Sequence, residues 1–334
     1  MRHDAAWLRD YLIAGVEDPR LNVQSILSRH FIIRALFGES EGDWMRQEIR
    51  FAAVMNWLVA IAEQAGDGEV LHAVRHALRC RADNAEGVPI PRFVAQAFEQ
   101  LPVTLAGIVV PNYVESFLAG TRFEQGRPVA DRTSLETFQH FYSCWLSRLH
   151  AKRPTIIEPA CGSANDYRFL DAYGLAPLLD YTGFDLCAKN IQNAKALFPG
   201  VRFEIGNAFK IEAPDQSFDL CLVQDLFEHL SLAGLQAAVN EVCRVTRLGI
   251  CIGFFQMDEI GEHVLRPVEQ YHWNLLSVTR MRQLFDSYGF TAQVLHVATF
   301  LRQTVGCGQT HNPNAYSFFL RRRISIADQS SKLG

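Results

Sequence analysis

The segment Thr155-Ile156-Ile157-Glu158-Pro159-Ala160-Cys161-Gly162-Ser163-Ala164-Asn165-Asp166 sets how the rest of the chain is read. A short apolar run ends on a carboxylate. Small side chains follow at 160, 162, 163 and 164, so the backbone there can pass close to a ligand. Runs of the same kind recur downstream at Tyr181–Asp185, Arg202–Ile205, Phe218–Val223 and Ile250–Phe255. Each is short and nearly continuous in hydrophobicity, the mark of strands buried on both faces of a parallel sheet. The intervening segments suit crossover helices. Ser231 is placed to N-cap a helix reaching Val245, with Gly249 beyond its end. Residues 278–288 read as a helix with Ser277 as cap and Gly289 as stop. Two more strand-like runs follow, Ala292–Thr299 and Tyr316–Leu320, and no helix is expected between Arg302 and Pro313. Strands joined without a helix pair antiparallel. The expected fold is α/β: a doubly wound, mostly parallel, seven-stranded Rossmann-like sheet with an antiparallel C-terminal hairpin, preceded by a helical N-terminal region.

Ligands of such sheets bind beyond the carboxyl ends of the strands, where strand order reverses. The strand ends here are Glu158, Asp185, Gly206-Asn207-Ala208 and Gln224-Asp225. A dinucleotide wants a glycine loop and a helix N-terminus against its pyrophosphate. S-adenosylmethionine has no phosphate; it offers an ammonium, a carboxylate, a sulfonium, a ribose diol and an adenine. A carboxylate at the end of the first strand helps the second ligand and repels the first. Asp185 can accept hydrogen bonds from a ribose in either case. Asn207 can serve an adenine edge, with Ala208 supplying a backbone N–H.

With these residues in place, the chain resembles the class I S-adenosylmethionine-dependent methyltransferases. The resemblance rests on EPACGSAND, YTGFDLC, EIGNAF, FDLCLVQDLFEHL and NEVCRVTRLGICIGFF, in that order, and spans about residues 140–323. It implies S-adenosylmethionine as cofactor. Glu158, Ala160 and Gly162 would surround its methionine part, Asp185 its ribose, Leu186, Asn207 and Ala208 its adenine, and Gln224 the methionine or sulfonium end. The family loop more often has glycine where this chain has Ala160 and Ala164. Alanine disfavours positive φ, so the expectation is a loop that avoids positive φ at both positions, the alternative being a degraded site.

Acceptor-binding groups are expected from the segments after the fourth and fifth strands and from the N-terminal helices. Gln256–His263 and Glu269–Asn274 are dense in polar and aromatic groups, and His263, Tyr271 and His272 are the candidates for acceptor contact or base. His229 of the EHL segment is a fourth catalytic candidate, weighed against packing. His72 and His76 share a helix face but lack a third ligand, so no metal is expected.

The 334 residues are 49% hydrophobic and 20% charged, with a net charge of −4. That excludes whole-chain disorder and lends no electrostatic support to a nucleic-acid partner. The run Arg321-Arg322-Arg323 reads as a solvated edge. No apolar stretch reaches the roughly 20 residues of a membrane span, and eight cysteines without a CxxC pair read as free thiols of a cytoplasmic protein. Amphipathic patterns over 51–62 and 71–78 mark residues 1–130 as a helical cap or dimerisation region, and a further helix is expected over 135–149, ahead of the first strand. Residues 131–325 form the cofactor-binding domain and 326–334 a polar tail. The reading is methyl transfer to an oxygen or nitrogen, less readily a carbon, of a small-molecule acceptor by in-line displacement, in a chain that could pair as a homodimer. Two alternatives stand: a cofactor-binding protein without catalysis whose helical region binds a partner, and a nucleotide-dependent oxidoreductase, against which Glu158 and the missing GxGxxG speak.

Overall fold

The computed structural model describes residues 22–37, 49–50, 52–53, 111–113, 122–124, 127–129, 153–172, 175–269, 271–308, 310 and 312–323. Apart from Ala52 and Ala53, the helical patterns over 51–62, 71–78 and 135–149, with His72 and His76, lie outside them, as does the 326–334 tail. Helix α1 is Val23–Phe37. The principal strands are β1 (Thr155–Pro159), β2 (Asp180–Asp185), β3 (Arg202–Ile205), β4 (Phe218–Gln224), β5 (Thr246–Phe254), β6 (Phe290–His296) and β7 (Tyr316–Arg322). The remaining helices are α2 (Asn165–Ala172), α3 (Ala188–Leu197), α4 (Leu232–Val245), α5 (Val278–Ser287) and α6 (Val297–Val305).

The seven strands form one sheet in the order β6-β7-β5-β4-β1-β2-β3. β3, β2, β1, β4 and β5 run parallel. β7 is antiparallel to β5, and β6 is antiparallel to β7. Strand order reverses at β1, which lies between β4 and β2, so a crevice opens there at the carboxyl ends.

Side-chain spacing explains the layers. In α4, Leu235, Ala238, Val239 and Val242 recur at helical spacing and bury one face. In α5, Val278, Met281 and Phe285 do the same. Both helices join one core with Cys221 and Val223 of β4, Ile250, Ile252 and Phe254 of β5, and Phe318 and Leu320 of β7. Burying each such side chain contributes roughly 1.5–3 kcal/mol. The alternate residues of β5 face α1: the Cys251 thiol donates to Ser28 Oγ at 3.5 Å, and Phe31 stacks on Phe319 of β7. With both faces covered, β5 reads as an unbroken apolar run. The caps fall where expected, Ser231 Oγ accepting from Gly234 N–H and Ser277 Oγ from Arg280 N–H.

The structure corrects three local expectations. Gly249 does not follow α4 as a stop but lies inside β5. A Cβ there would sit 2.9 Å from the Leu320 carbonyl oxygen and 3.1 Å from the Phe31 ring, so close strand and helix approach demands glycine. The run after Phe290 leaves strand at His296 and continues as α6, a helix that ends at Gly306 with φ +76°. Arg322 is no solvated edge: its guanidinium donates to the Cys243 and Thr246 carbonyls at the end of α4 and lies over the Phe290 ring.

Contacts divide the chain into two units. Leu27–Gly38, Ala151–Phe300 and Asn312–Gly334 form the unit that holds the seven-stranded sheet, and the rest of the chain forms the other. Sequence reading placed its boundary after residue 130 and so left α1 outside the sheet-bearing unit.

Candidate functional site

The loop after β1 turns through three left-handed residues: Ala160 at φ +57°, Gly162 at +56° and Ala164 at +68°. The expectation that the two alanines avoid positive φ is wrong. The loop keeps its left-handed turns and accepts a cost of roughly 1–2 kcal/mol for each alanine. What holds it is hydrogen bonding and packing. Cys161 N–H donates to the Phe184 carbonyl at 3.0 Å, and Gly162 N–H donates to Asp185 Oδ2 at 3.0 Å. The Cys161 thiol also fills the space above Gly183, where a Cβ would meet it at 3.0 Å and the Phe203 ring at 2.9 Å.

Glu158 ends β1 but does not stand open in the crevice. It is 2% exposed, and the Tyr181 hydroxyl donates to its Oε2 at 2.5 Å. Asp166 follows in the first turn of α2. Burial first, and then the neighbouring Asp166, push Glu158 well above the ordinary carboxylate range. Burial also raises Asp166, to about 6, against the lowering contact with Glu158 and the charges of Arg168 and Arg29.

At the end of β2, Asp185 Oδ1 accepts from Cys187 N–H at 2.8 Å and from the Asn190 amide at 3.2 Å, while Oδ2 takes Gly162 N–H. Of about four acceptor positions on a carboxylate, one is left for a sugar hydroxyl. Leu186 is 73% exposed beside it, and Ile205 and Phe209 are exposed apolar groups after β3. Asn207 Oδ1 is used within its own turn by Phe209 N–H, and Ala208 packs against the core.

Beyond β4, Gln224 donates to Ser28 Oγ of α1 at 2.7 Å. Asp225 follows with φ +50°, its N–H bonded to the Gly253 carbonyl. His229 stands 3.6 Å from Asp225 through Nε2. Its Nδ1 lies 3.1 Å from the His272 carbonyl oxygen, which can only accept, so Nδ1 carries the proton. Tyr271 meets the ring edge-on at 6.0 Å and Trp273 at 5.0 Å. Asp225 is the chief cause that raises His229 above its ordinary value. Tyr271 and His272 belong to a short hairpin with Pro267–Val268. Asn274 fastens that hairpin: its amide donates to the Leu230 carbonyl, and its N–H to the Glu228 carbonyl.

The structure therefore brings together three of the four catalytic candidates, with His272 contributing its backbone carbonyl. His263 is not among them. Its Nδ1 accepts from Ser277 N–H at 2.9 Å at the start of α5, and burial lowers its basicity. That bond uses its Nδ1 lone pair in structure. Sequence reading missed Ser28 and Arg29. Both are buried on α1, a helix whose apolar residues leave no clear stripe to identify a face.

The donor set suits one cofactor. Two carboxyls end β1 and begin α2, a third carboxylate ends β2, and apolar side chains edge the space after β3. No lysine or arginine occurs in the loop 158–166 to meet a pyrophosphate. These residues fit an ammonium, a ribose and an adenine. A separate cleft of 530 Å³, lined by Arg153, Tyr167, Asp180 and Arg202 among others, lies at the amino ends of the strands, away from this chemistry.

A family model described as a methyltransferase domain matches residues 157–252. No curated protein sequence matches the chain significantly. Among solved structures, an S-adenosylmethionine-dependent methyltransferase from Methanosarcina mazei is 15% identical, over 54% of this chain and 98% of its own, with a TM-score of 0.41. The 1,6-didemethyltoxoflavin-N1-methyltransferase of Burkholderia thailandensis, solved with bound 1,6-didemethyltoxoflavin and S-adenosylhomocysteine, is 16% identical over 58% of this chain and 82% of its own, with a TM-score of 0.40. An S-adenosylmethionine-dependent methyltransferase from Mesorhizobium loti is 14% identical over 54% and 98%, with a TM-score of 0.38. The matched residues 157–252 hold the left-handed loop, Asp185, Asn207 and the Gln224–His229 turn, so the part of the chain that builds this site is the part that matches a methyltransferase domain.

Proposed function

We propose that this enzyme transfers the methyl group of S-adenosylmethionine to an oxygen or nitrogen of a small-molecule acceptor, with His229 as the base that takes the acceptor's proton. The sulfonium supplies an already activated methyl group, so the protein's work is alignment and proton removal. The observation that carries the reading is the pairing of His229 with Asp225 beneath Tyr271 and Trp273. With Nδ1–H donated to the His272 carbonyl, the deprotonated ring keeps its lone pair on Nε2. A proton gained there leaves an imidazolium 3.6 Å from a carboxylate, which stabilises it. The left-handed φ of Asp225 adds backbone strain at this turn, a feature found at functional sites.

Around the cofactor, Glu158, Ala160 and Gly162 serve the methionine end. Asp185 serves the ribose. Leu186, Asn207 and Ala208 serve the adenine, and Gln224, tied to Ser28, the sulfonium end. The aromatic hairpin and the net charge of −4 support a compact acceptor over nucleic acid. Residues 1–130 act as cap or dimer contact beside the 131–325 domain. Thiols outside any disulfide at Cys161, Cys187, Cys221, Cys243 and Cys251 support a cytoplasmic setting, and no helix among the described residues is long and apolar enough to cross a membrane.

The test is incubation of cell extract with the enzyme and deuteriomethyl-labelled S-adenosylmethionine, followed by mass spectrometry. Small-molecule products heavier by one labelled methyl are expected, at a rate that His229→Gln lowers by about 10²–10⁴. Label found only in protein or nucleic acid overturns the acceptor class, and an unaffected His229→Gln rate overturns the base.

A further inference from the structure

The turn that carries His229 and the hairpin that faces it are joined through one buried amide. We infer that Asn274 is a positioning residue for His229: by tying both sides of the His229 turn to the hairpin, it seats the His272 carbonyl on the ring's Nδ1 and leaves Nε2 as the basic atom. The inference rests on the proposed role of His229 as base and deepens it.

Asn274 is 1% exposed. Its side-chain Nδ2 donates to the Leu230 carbonyl at 2.7 Å, and its backbone N–H donates to the Glu228 carbonyl at 2.9 Å. Those two carbonyls belong to the residues on either side of His229. On the hairpin side, Asn274 Oδ1 accepts from Arg266 N–H at 3.0 Å, just before the strand Pro267–Val268. The Arg266 carbonyl in turn accepts from Trp273 N–H at 2.8 Å. His272 is therefore followed by two anchored residues, Trp273 on Arg266 and Asn274 on the His229 turn. That anchored segment delivers the His272 carbonyl to within 3.1 Å of His229 Nδ1.

The partners dictate the residue type. A carbonyl only accepts and an N–H only donates, so the site needs one donor and one acceptor on a short planar group. Asparagine supplies both. Aspartate has the same shape but would aim a carboxylate oxygen at the Leu230 carbonyl, and leucine would leave the Leu230 carbonyl and the Arg266 N–H without this partner. What Asn274 controls is the choice between the two neutral tautomers of His229, which is set by the hydrogen bond at each ring nitrogen. With the His272 carbonyl in place, the proton stays on Nδ1 and the lone pair on Nε2. Once that carbonyl drifts, Nε2–H donates instead to Asp225, whose Oδ1 stands 3.6 Å away. The atom meant to take the acceptor's proton is then already occupied.

Nitrogen NMR of the full chain carrying isotope-labelled histidine reads the tautomer, the His229 signals being those that His229→Gln removes. At a pH well above the histidine range, His229 of the unaltered protein should show its proton on Nδ1 and a bare Nε2. Asn274→Ala should turn this into a mixture of both tautomers and lower kcat by about 10²-fold, the usual scale for a misplaced catalytic group. Its binding of S-adenosylmethionine, followed by calorimetry, should be unchanged. An unaltered protein whose neutral His229 carries its proton on Nε2 overturns the inference, and that result needs no variant to fold. So does a folded Asn274→Ala protein that keeps the parent's tautomer, whatever its activity. A proton fixed on Nδ1 and released in Asn274→Ala, in an enzyme whose rate ignores His229→Gln, removes the base and leaves the hold of Asn274 on the ring standing.

Discussion

Replacing Glu228 with glutamine should remove a pH dependence from the stability of the sheet-bearing unit. Glu228 is fully buried in the turn after β4. Its Oε1 accepts from Phe255 N–H at 2.5 Å, while Oε2 has no hydrogen-bond partner among the described residues. Burial, and next the charge of Asp225, raise its pKa from 4.5 to about 7, against lowering contacts from its own backbone, Phe255 and His229. The folded value lies above the unfolded one. The carboxyl's contribution is therefore fully present below about pH 4.5 and is lost as pH rises through about 7. Two and a half pKa steps correspond to roughly 3 kcal/mol for full ionisation, of which about 2–3 kcal/mol is lost between pH 5 and pH 8. Glutamine keeps an acceptor for Phe255 N–H and does not titrate. Urea unfolding of both proteins at pH 5, 6, 7 and 8 reads the difference directly. The glutamine variant should gain on the parent by about 2–3 kcal/mol across that span, even if the buried amide costs it a constant amount. A stability difference that stays flat with pH would refute the reasoning, since it would mean that Glu228 titrates alike in the folded and unfolded chain.

Three further outcomes follow from the same geometry. Ala160→Gly and Ala164→Gly should each stabilise the fold by up to about 1 kcal/mol, the left-handed penalty of alanine less the entropy cost of glycine, read as a raised denaturation midpoint. Gly183→Ala should destabilise by about 1–3 kcal/mol, because its Cβ meets the Phe203 ring at 2.9 Å and the Cys161 thiol at 3.0 Å, and calorimetry should show weakened cofactor binding with it. The rate of methyl transfer should rise with pH along a limb set above the ordinary histidine value, because Asp225 raises His229 and only its neutral ring accepts a proton. In Asp225→Asn that limb should move to lower pH, and a limb unmoved in this variant would remove the pair from the chemistry.

The sequence discloses what period and spacing encode. β1, β2, β4 and β5 were legible because strands covered on both faces read as largely apolar runs, β3 is an edge strand in which only Phe203 is buried, and α4 and α5 were legible because serine caps begin them. What stayed hidden was encoded in contacts between distant residues. α6 looked like strand because Val297, Phe300 and Leu301 suit either period over so short a run. Arg322 looked solvated because nothing local says that three carbonyl-directed hydrogen bonds await it at the end of α4. The loop alanines are the sharper lesson. Intrinsic preference argued against positive φ at 160 and 164, and it lost to a set of constraints that only the folded chain supplies: Cys161 N–H on Phe184, Gly162 N–H on Asp185, and the thiol seated over Gly183. The two alanines together cost roughly 2–4 kcal/mol, which is offset by two hydrogen bonds of about 1 kcal/mol each together with the packing of a buried thiol. That same override explains why the charge at the end of β1 could not be read from Glu158 alone. Glu158 is 2% exposed with the Tyr181 hydroxyl donating to it, and that burial, which no local pattern encodes, is what raises its carboxyl.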